Sequence, residues 1–371
     1  MAASKEMNML KPPMLRPGAR IAAISLSWGG PGTFRYRYEV GKRQFEEEFG
    51  VTVVETEHAL RDADWLAKNP KARAEDLMAT FADDTIDGIC STIGGEDSIR
   101  ILPYLDLDII RDNPKVFMGY SDTTISHAAC FKAGLVSFYG PAFMTGFAEN
   151  GGMFPYTVNS VRKTLFSAEP IGRIGSNQTG WTAEYLEWGD PANQSIKRKL
   201  NPCTGWIFHQ ERGQVEGVLF GGCLEVLDWL RGTPYWPSAE SLHGAILFLE
   251  TSEDAPPPSR LTEFIRVLAA MGVLESLGGI LLGRPGGQIR PETFQDYDDA
   301  LCNTIRGEYG LDKLAIVTNM DFGHTDPMFV IPLGLQARIN SAKHQIVIDE
   351  AAVKPVASSQ PDKYDCTSQH N

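Results

Sequence analysis

Through the N-terminal part of the chain, short apolar runs alternate with stretches whose apolar residues recur every three or four positions. The runs predict strands over residues 20–26, 51–55, 86–91 and 116–119. The longer periodic stretches predict helices over 38–49, 72–81, 98–102 and 123–132. Strands that alternate with helices argue for a parallel sheet covered on both faces. A glycine-rich loop, Ser27-Trp28-Gly29-Gly30-Pro31-Gly32, follows the first strand.

From 167 to about 202 the pattern lapses into a polar stretch carrying Trp181, Trp188 and the basic cluster Lys197-Arg198-Lys199. It reads as a long loop between domains, and loops of that length are usually functional or disordered. Beyond it, β-rich patterning resumes, with strands predicted at 217–220, 244–250, 278–282, 314–318 and 345–349. Helical spacing intervenes at 224–231, 259–271 and 293–308. The expected organisation is an N-terminal α/β domain (1–166), a linker or insert (167–205), a C-terminal β-rich α/β domain (206–355) and a frayed tail (356–371).

Composition narrows the class. The chain has 371 residues, 43% hydrophobic and 22% charged, enough apolar material for a core. With 34 Lys and Arg against 47 Asp and Glu, the formal net charge is −13, the wrong sign for binding a nucleic-acid polymer. No window approaches 18 uninterrupted apolar residues, and the opening residues lack the apolar stretch of a secretory signal, so no membrane role is expected. The six cysteines are scattered without a CxxC pair. That spacing suits free thiols in the cytoplasm, and it argues against zinc; no metal or other cofactor is expected.

Four segments are candidates for chemistry. Gly119-Tyr120-Ser121-Asp122-Thr123 joins a predicted strand to a predicted helix, a place where a serine hydroxyl projects clear of the sheet. The Asp122 amide then lies at a helix N-terminus and supplies half an oxyanion hole. Thr123 departs from the G-x-S-x-G elbow pattern, and the competing reading is that Ser121 or Asp122 only caps the helix. Ser91-Thr92-Ile93-Gly94-Gly95-Glu96-Asp97 stands at the end of another strand, where ligands of α/β sheets collect and glycines let backbone amides approach a substrate. No G-x-G-x-x-G dinucleotide fingerprint follows a strand. Glu250 ends the apolar run Ala245–Leu249, while Glu253 and Asp254 read as solvated loop residues. Of seven histidines, His324, in Asp321-Phe322-Gly323-His324-Thr325-Asp326-Pro327, has the most site-like neighbours. Serine, glutamate and histidine each end a strand, and together they are the groups serine hydrolysis requires.

The ordered motifs Ser91-Thr-Ile-Gly-Gly95, Leu102-Pro-Tyr-Leu-Asp106, Gly119-Tyr-Ser-Asp122, Phe138-Tyr-Gly-Pro141, Gly221-Gly-Cys-Leu-Glu225 and Gly323-His-Thr325 resemble the LD-carboxypeptidase family of serine peptidases. The likeness runs from about residue 18 to 349. Ile93–Asp97 and the tryptophan-bearing insert resemble its microcin C immunity branch more than its muropeptide-trimming branch. The resemblance implies an N-terminal parallel-sheet α/β domain with a nucleophile elbow, a β-rich C-terminal domain and a homodimer. It also implies Ser121 as nucleophile, Glu250 as acid, His324 as base, and the amides of Gly95 and Asp122 as oxyanion hole. The expected substrate is a peptidyl- or aminoacyl-nucleotide of the microcin C type, with Trp181 and Trp188 as candidate contacts to the base. The alternatives are a cell-wall tetrapeptide ending in D-alanine and, in a different class, a non-catalytic small-molecule binder holding an anion at a helix N-terminus.

Overall fold

The computed structural model describes residues 9–209 and 213–356. The stretch 1–8 and, apart from residue 356, the frayed tail expected at 356–371 lie outside the described residues. Two sheets form the frame.

The first sheet has six strands, in the order Ile331–Leu333, Ser137–Tyr139, Val116–Gly119, Gly88–Ser91, Arg20–Ile24 and Thr52–Glu55. All neighbours are parallel except Ile331–Leu333, which runs antiparallel to Ser137–Tyr139. Gly88–Ser91 and Val116–Gly119 are buried at every position, as strands of a parallel sheet covered on both faces should be. The helix Arg35–Phe49 buries Tyr38, Gly41, Phe45 and Phe49, and Pro70–Ala82 buries Ala74, Leu77, Met78 and Phe81. These are the three- and four-residue spacings of the sequence pattern. Thr124–Ala133 is buried everywhere except at Lys132, because it also touches Gln214–Cys223 and Leu224–Leu230 of the second half. The predicted helix at 98–102 is a 3-10 helix, Ser98–Tyr104, with Pro103 inside it.

The second sheet has eight strands, in the order Gly172–Ile174, Gln345–Ile348, Gln336–Asn340, Gln214–Cys223, Ile246–Glu250, Gly279–Gly283, Ala315–Met320 and Ile207–Phe208. From Gln214–Cys223 to Ala315–Met320 the pairing is parallel, and the flanks are antiparallel. The helix Ser259–Ala270 seals it with Leu261, Phe264, Ile265 and Leu268. Where one helix is predicted over 293–308, Phe294–Cys302 passes into a π-helical turn, Asn303–Glu308. There the Thr304 hydroxyl donates to the Ala300 carbonyl (2.7 Å), competing with the backbone ladder.

Two departures tie the halves together. Ile331–Leu333, from late in the chain, closes the edge of the first sheet; Pro332 is tolerated there because an edge position needs no amide donor. The insert, expected to be loop, contributes Gly172–Ile174 to the second sheet. Otherwise it is irregular apart from the 3-10 turn Pro191–Ser195. The carboxyl ends of parallel strands from both sheets open onto one cavity of about 830 Å³.

Candidate active site

Strand Val116–Gly119 leads through Tyr120 into the 3-10 turn Ser121–Thr123 and then the helix Thr124–Ala133. Ser121 takes φ 61°, a left-handed backbone that costs a residue with a Cβ about 1–3 kcal/mol. Neighbouring bonds hold it there. The Ser121 amide donates to the Tyr139 hydroxyl (3.0 Å), and its carbonyl accepts from the Thr124 hydroxyl (2.7 Å). Thr124 in turn accepts from the Cys223 amide of the second sheet (3.1 Å). Behind the turn, buried His127 joins the Gly119 carbonyl (2.9 Å) to the Ser137 hydroxyl (2.8 Å). Burial pushes that imidazole down to about 4, so it is neutral and structural.

The capping alternative separates the two candidates. Ser121 caps neither its own turn nor the helix that follows. Asp122 does act as a cap, but for another helix: its carboxylate accepts from the amides of Asp97 (2.9 Å) and Ser98 (2.8 Å) at the start of Ser98–Tyr104. That bond pins the Gly94–Gly95 segment beside the serine.

Glu250 is the last residue of Ile246–Glu250 and is fully buried. His324 stands in the loop after Ala315–Met320, with its Nδ1 2.6 Å from Glu250 Oε2 and its Nε2 3.0 Å from Ser121 Oγ. The other Glu250 oxygen accepts from the Tyr139 hydroxyl. Gly323 takes φ 92°, and a Cβ there would lie 2.6 Å from Glu250 Cβ, so only glycine lets histidine and glutamate meet this closely. The histidine loop is anchored by the buried ion pair Arg284–Asp321 (2.8 Å), and Arg284 also reaches Asn319 and Thr325. The insert braces it from outside, since Thr182 and Asp326 exchange backbone bonds and Arg198 bonds Asp326 and Glu149. Burial alone would lower the His324 pKa, but the charges of Glu250 and Glu253, which bond the ring, hold it well above the ordinary value.

Gly94 and Gly95 face the serine. A Cβ at Gly94 would lie 2.9 Å from Ser121 Oγ and 3.4 Å from the Asp122 nitrogen, so this segment and the Asp122 amide border one point. Gly95 lines the cavity, and among the described residues nothing accepts from its amide. An oxygen held there would meet donors already in place.

The two insert tryptophans part company. Trp188 lines the cavity, edge-on to Phe34, with the Arg37 guanidinium 5.0 Å from its ring centre. Trp181 is only 4% exposed, stacks on Arg284 (4.9 Å) and Phe294, and is absent from the cavity wall. Its place under the histidine loop is that of a packing residue. Of the basic cluster, Arg198 reaches the cavity, joined by Arg37, a helix residue that nothing in the local sequence marks. Arg37 is buried and bonds the Met144 carbonyl and the amide oxygens of Asn150 and Gln194. Nor is Tyr139 marked: the Phe138–Pro141 motif stands out, but nothing in its pattern points to a hydroxyl that touches both the serine turn and Glu250. Among the described residues, the one cluster with metal-ligand spacing is Glu57, His58 and Asp76, outside the cavity wall. There His58 already bonds Asp76 (2.8 Å) and stacks on Trp65.

Comparison with known proteins identifies the family. Residues 21–140 match the LD-carboxypeptidase N-terminal domain, and residues 216–339 match the LD-carboxypeptidase C-terminal domain. The microcin C7 self-immunity protein MccF of Escherichia coli is 30% identical over 287 residues, 76% of this chain and 78% of that protein. An MccF-like protein from Streptococcus pneumoniae, solved in complex with AMP, superposes with a TM-score of 0.81 at 29% identity, covering 90% of this chain and 99% of the other. MccF solved with aspartyl sulfamoyl adenosine gives a TM-score of 0.77 at 26% identity, covering 93% of this chain and 100% of the other. The chain is a serine peptidase-like hydrolase and belongs to the LD-carboxypeptidase family.

Proposed function

We propose that this hydrolase cleaves an amide bond through Ser121, His324 and Glu250. His324 Nε2 takes the Ser121 proton as Oγ attacks the carbonyl, while Glu250 orients the ring and stabilises the imidazolium that forms. The amides of Gly95 and Asp122 receive the oxyanion, each contributing about 3–4 kcal/mol to the transition state. The imidazolium then protonates the leaving nitrogen, and water, activated by the same histidine, releases the acyl group from Ser121. The observation that carries this reading is the unbroken chain of contacts from Ser121 Oγ through His324 to Glu250, opening on a cavity.

The substrate we infer is a peptidyl- or aminoacyl-nucleotide of the microcin C type, cut where the acyl group joins the nucleotide portion. Trp188 supports it, as an aromatic face on the cavity wall suited to a base. So do the relatives solved with AMP and aspartyl sulfamoyl adenosine. Arg37 and Arg198 keep a second substrate in play, a tetrapeptide with a free terminal carboxylate. On this reading the chain works in the cytoplasm as a homodimer, self-protection or detoxification being its role.

The test is mass spectrometry of both substrates incubated with wild type and Ser121→Ala, alongside serine-directed fluorophosphonate labelling. Cleavage of the nucleotide substrate, lost with Ser121→Ala, supports the reading. Cleavage of the tetrapeptide alone moves the assignment to cell-wall trimming. Failure of Ser121 to label and of both substrates to turn over favours a binding protein.

A further inference from the structure

His324 Nε2 lies 3.0 Å from Ser121 Oγ and also 3.0 Å from Glu253 Oε2. One nitrogen cannot accept from Ser121 and donate to Glu253 at once. To take the serine proton it must offer its lone pair; to meet a carboxylate it must carry a hydrogen. The two contacts therefore belong to two protonation states. In the first, the imidazolium donates to Glu250 through Nδ1 and to Glu253 through Nε2, and Ser121 has no base. In the second, Nε2 is bare, and a carboxylate at 3.0 Å would face its lone pair.

Glu253 must leave Nε2 before Ser121 can be activated, and its surroundings indicate what removes it. Its side chain is 72% exposed on the loop after Ile246–Glu250, so it is free to swing. Among the described residues, its one ion-pair partner is His324. The basic residues of the cavity wall are committed elsewhere, Arg198 to Glu149 and Asp326, and Arg37 to Met144, Asn150 and Gln194. Nearby Glu225 is engaged by the amide and hydroxyl of Ser252. Among the described residues, the cavity wall holds no uncommitted Lys or Arg to draw Glu253 away. A substrate can bring one: an acyl group with a free α-amino function carries an ammonium two bonds from the carbonyl that Ser121 attacks.

We infer that Glu253 is a specificity-determining and positioning residue that selects acyl groups bearing a free α-ammonium, and that pairing with this ammonium releases His324 to act as base. The inference rests on the hydrolase reading above and narrows its substrate class. The charged and titratable groups facing His324 are Glu250 from its strand, Glu253 from the following loop, and Tyr120 and Ser121 from the elbow. Asp326, on the histidine's own loop, is paired with Arg198. Of these, only Glu253 stands on Nε2 as a carboxylate. Burial in the elbow keeps the Tyr120 phenol neutral.

Two measurements test this with wild type, Glu253→Gln and Glu253→Asp. The first compares kcat/KM for an aminoacyl sulfamoyl adenosine with that for its des-amino counterpart. Wild type should prefer the free amine by about 10- to 100-fold, the span of one charge-assisted contact. Glu253→Gln should bring the ratio below about 3-fold on the same scale, and Glu253→Asp should retain part of it. The second follows the pH dependence of fluorophosphonate labelling at Ser121, which needs no substrate. Its midpoint should fall in Glu253→Gln, because the resting imidazolium has lost a partner. An unchanged selectivity ratio or an unchanged labelling midpoint overturns the inference and leaves the hydrolase reading intact. Absence of Ser121 labelling in wild type at every pH overturns the hydrolase reading itself. Loss of Glu253→Gln labelling to the level of Ser121→Ala would make Glu253 the orienting acid and remove Glu250 from that role.

Discussion

Tyr139→Phe removes a single hydroxyl from the site and tests whether that hydroxyl joins the proposed nucleophile, Ser121, to the proposed acid, Glu250. The ring is 1% exposed and packs edge-on to Tyr120 and Phe248, so phenylalanine keeps the shape. What disappears is one acceptor and one donor. The Ser121 amide loses its partner at 3.0 Å, and Glu250 Oε1, fully buried, loses its neutral donor. A buried amide left unpaired costs about 1–3 kcal/mol, and a hydrogen bond to a charged group contributes about 1.5–3 kcal/mol. Both lie in one network and do not add fully, so the expected destabilisation is about 2–4 kcal/mol, read as a fall in Tm and in the denaturant midpoint. A kinetic effect should accompany it. Ser121 relies on that amide bond to stay at φ 61°, and a nucleophile displaced by a fraction of an ångström loses about 10- to 100-fold in turnover. With the phenol gone, Glu250 concentrates its charge on His324, and the acid limb of kcat/KM should move to higher pH. Unchanged Tm together with an unchanged pH profile would show that the turn and the acid are held by other contacts, and the bridging role would fall.

The pH profile of the wild type is a second expectation. Glu250 and Glu253 hold the His324 imidazolium well above the ordinary value of about 6.5, and only the neutral ring is a base, so kcat/KM should rise with pH through a midpoint above that value. By the same linkage, the stabilisation from charged His324 is complete below about 6.5 and is lost as pH climbs through the raised value; Tm measured across that range should fall accordingly. Gly94→Ala puts a methyl 2.8 Å from Ser121 Cβ and should cut turnover by about 100-fold or more; near-wild-type rates would mean the serine does not act from this position. Trp188→Ala should weaken binding of an aminoacyl-nucleotide about 5- to 100-fold and leave a tetrapeptide unaffected. Trp181→Ala should instead lower stability by about 3–5 kcal/mol, and equal effects of the two on binding would contradict their separation by the cavity wall.

Most of the frame was legible because its strands are buried on both sides and its helices on one. The run at 116–119 is apolar throughout, Gly88–Ser91 is buried at every position, and the helix Ser259–Ala270 shows its spacing plainly. What escaped notice was short or paired at long range. Ile331–Leu333, Ser137–Tyr139 and Gly172–Ile174 have three residues each, too few to show a period, and their partners are remote in sequence or visible only in three dimensions. At the site, the ends of strands marked Ser121, Glu250 and His324, since the chain leaves the buried sheet there; Ser121 and His324 line the cavity, and Glu250 is buried behind His324. Tyr139 ends a strand of three residues, too short to be read as one, and Arg37 lies inside a helix, where a polar residue looks like any other, so neither carried a local signal. Trp181 and Trp188 looked alike because they share a polar stretch; burial separated them.

The placement of the site follows from how the two sheets are joined. Ser121 comes from the first sheet, and Glu250 and His324 come from the second, so no single half holds the proposed triad. A loosely hinged pair of domains would hold Ser121 and His324 at 3.0 Å only part of the time. Here the joint is fixed by contacts that are themselves buried. Tyr139 bonds across to Glu250, and Thr124 receives the Cys223 amide three residues after Ser121. Ile331–Leu333 carries the chain from the histidine loop directly into the first sheet, pairing with the strand that ends in Tyr139. The strand that follows His324 is thus hydrogen-bonded to the strand whose Tyr139 bonds Glu250, and slippage of one half against the other must break sheet pairing before it can pull His324 from Ser121. The insert closes the remaining side, exchanging backbone bonds with Asp326 while Trp188 faces the cavity. On the proposed mechanism, rigidity at the reacting atoms and latitude at the cavity wall have separate structural origins, so changes in the insert and at Glu253 should alter substrate choice without moving Ser121, His324 and Glu250.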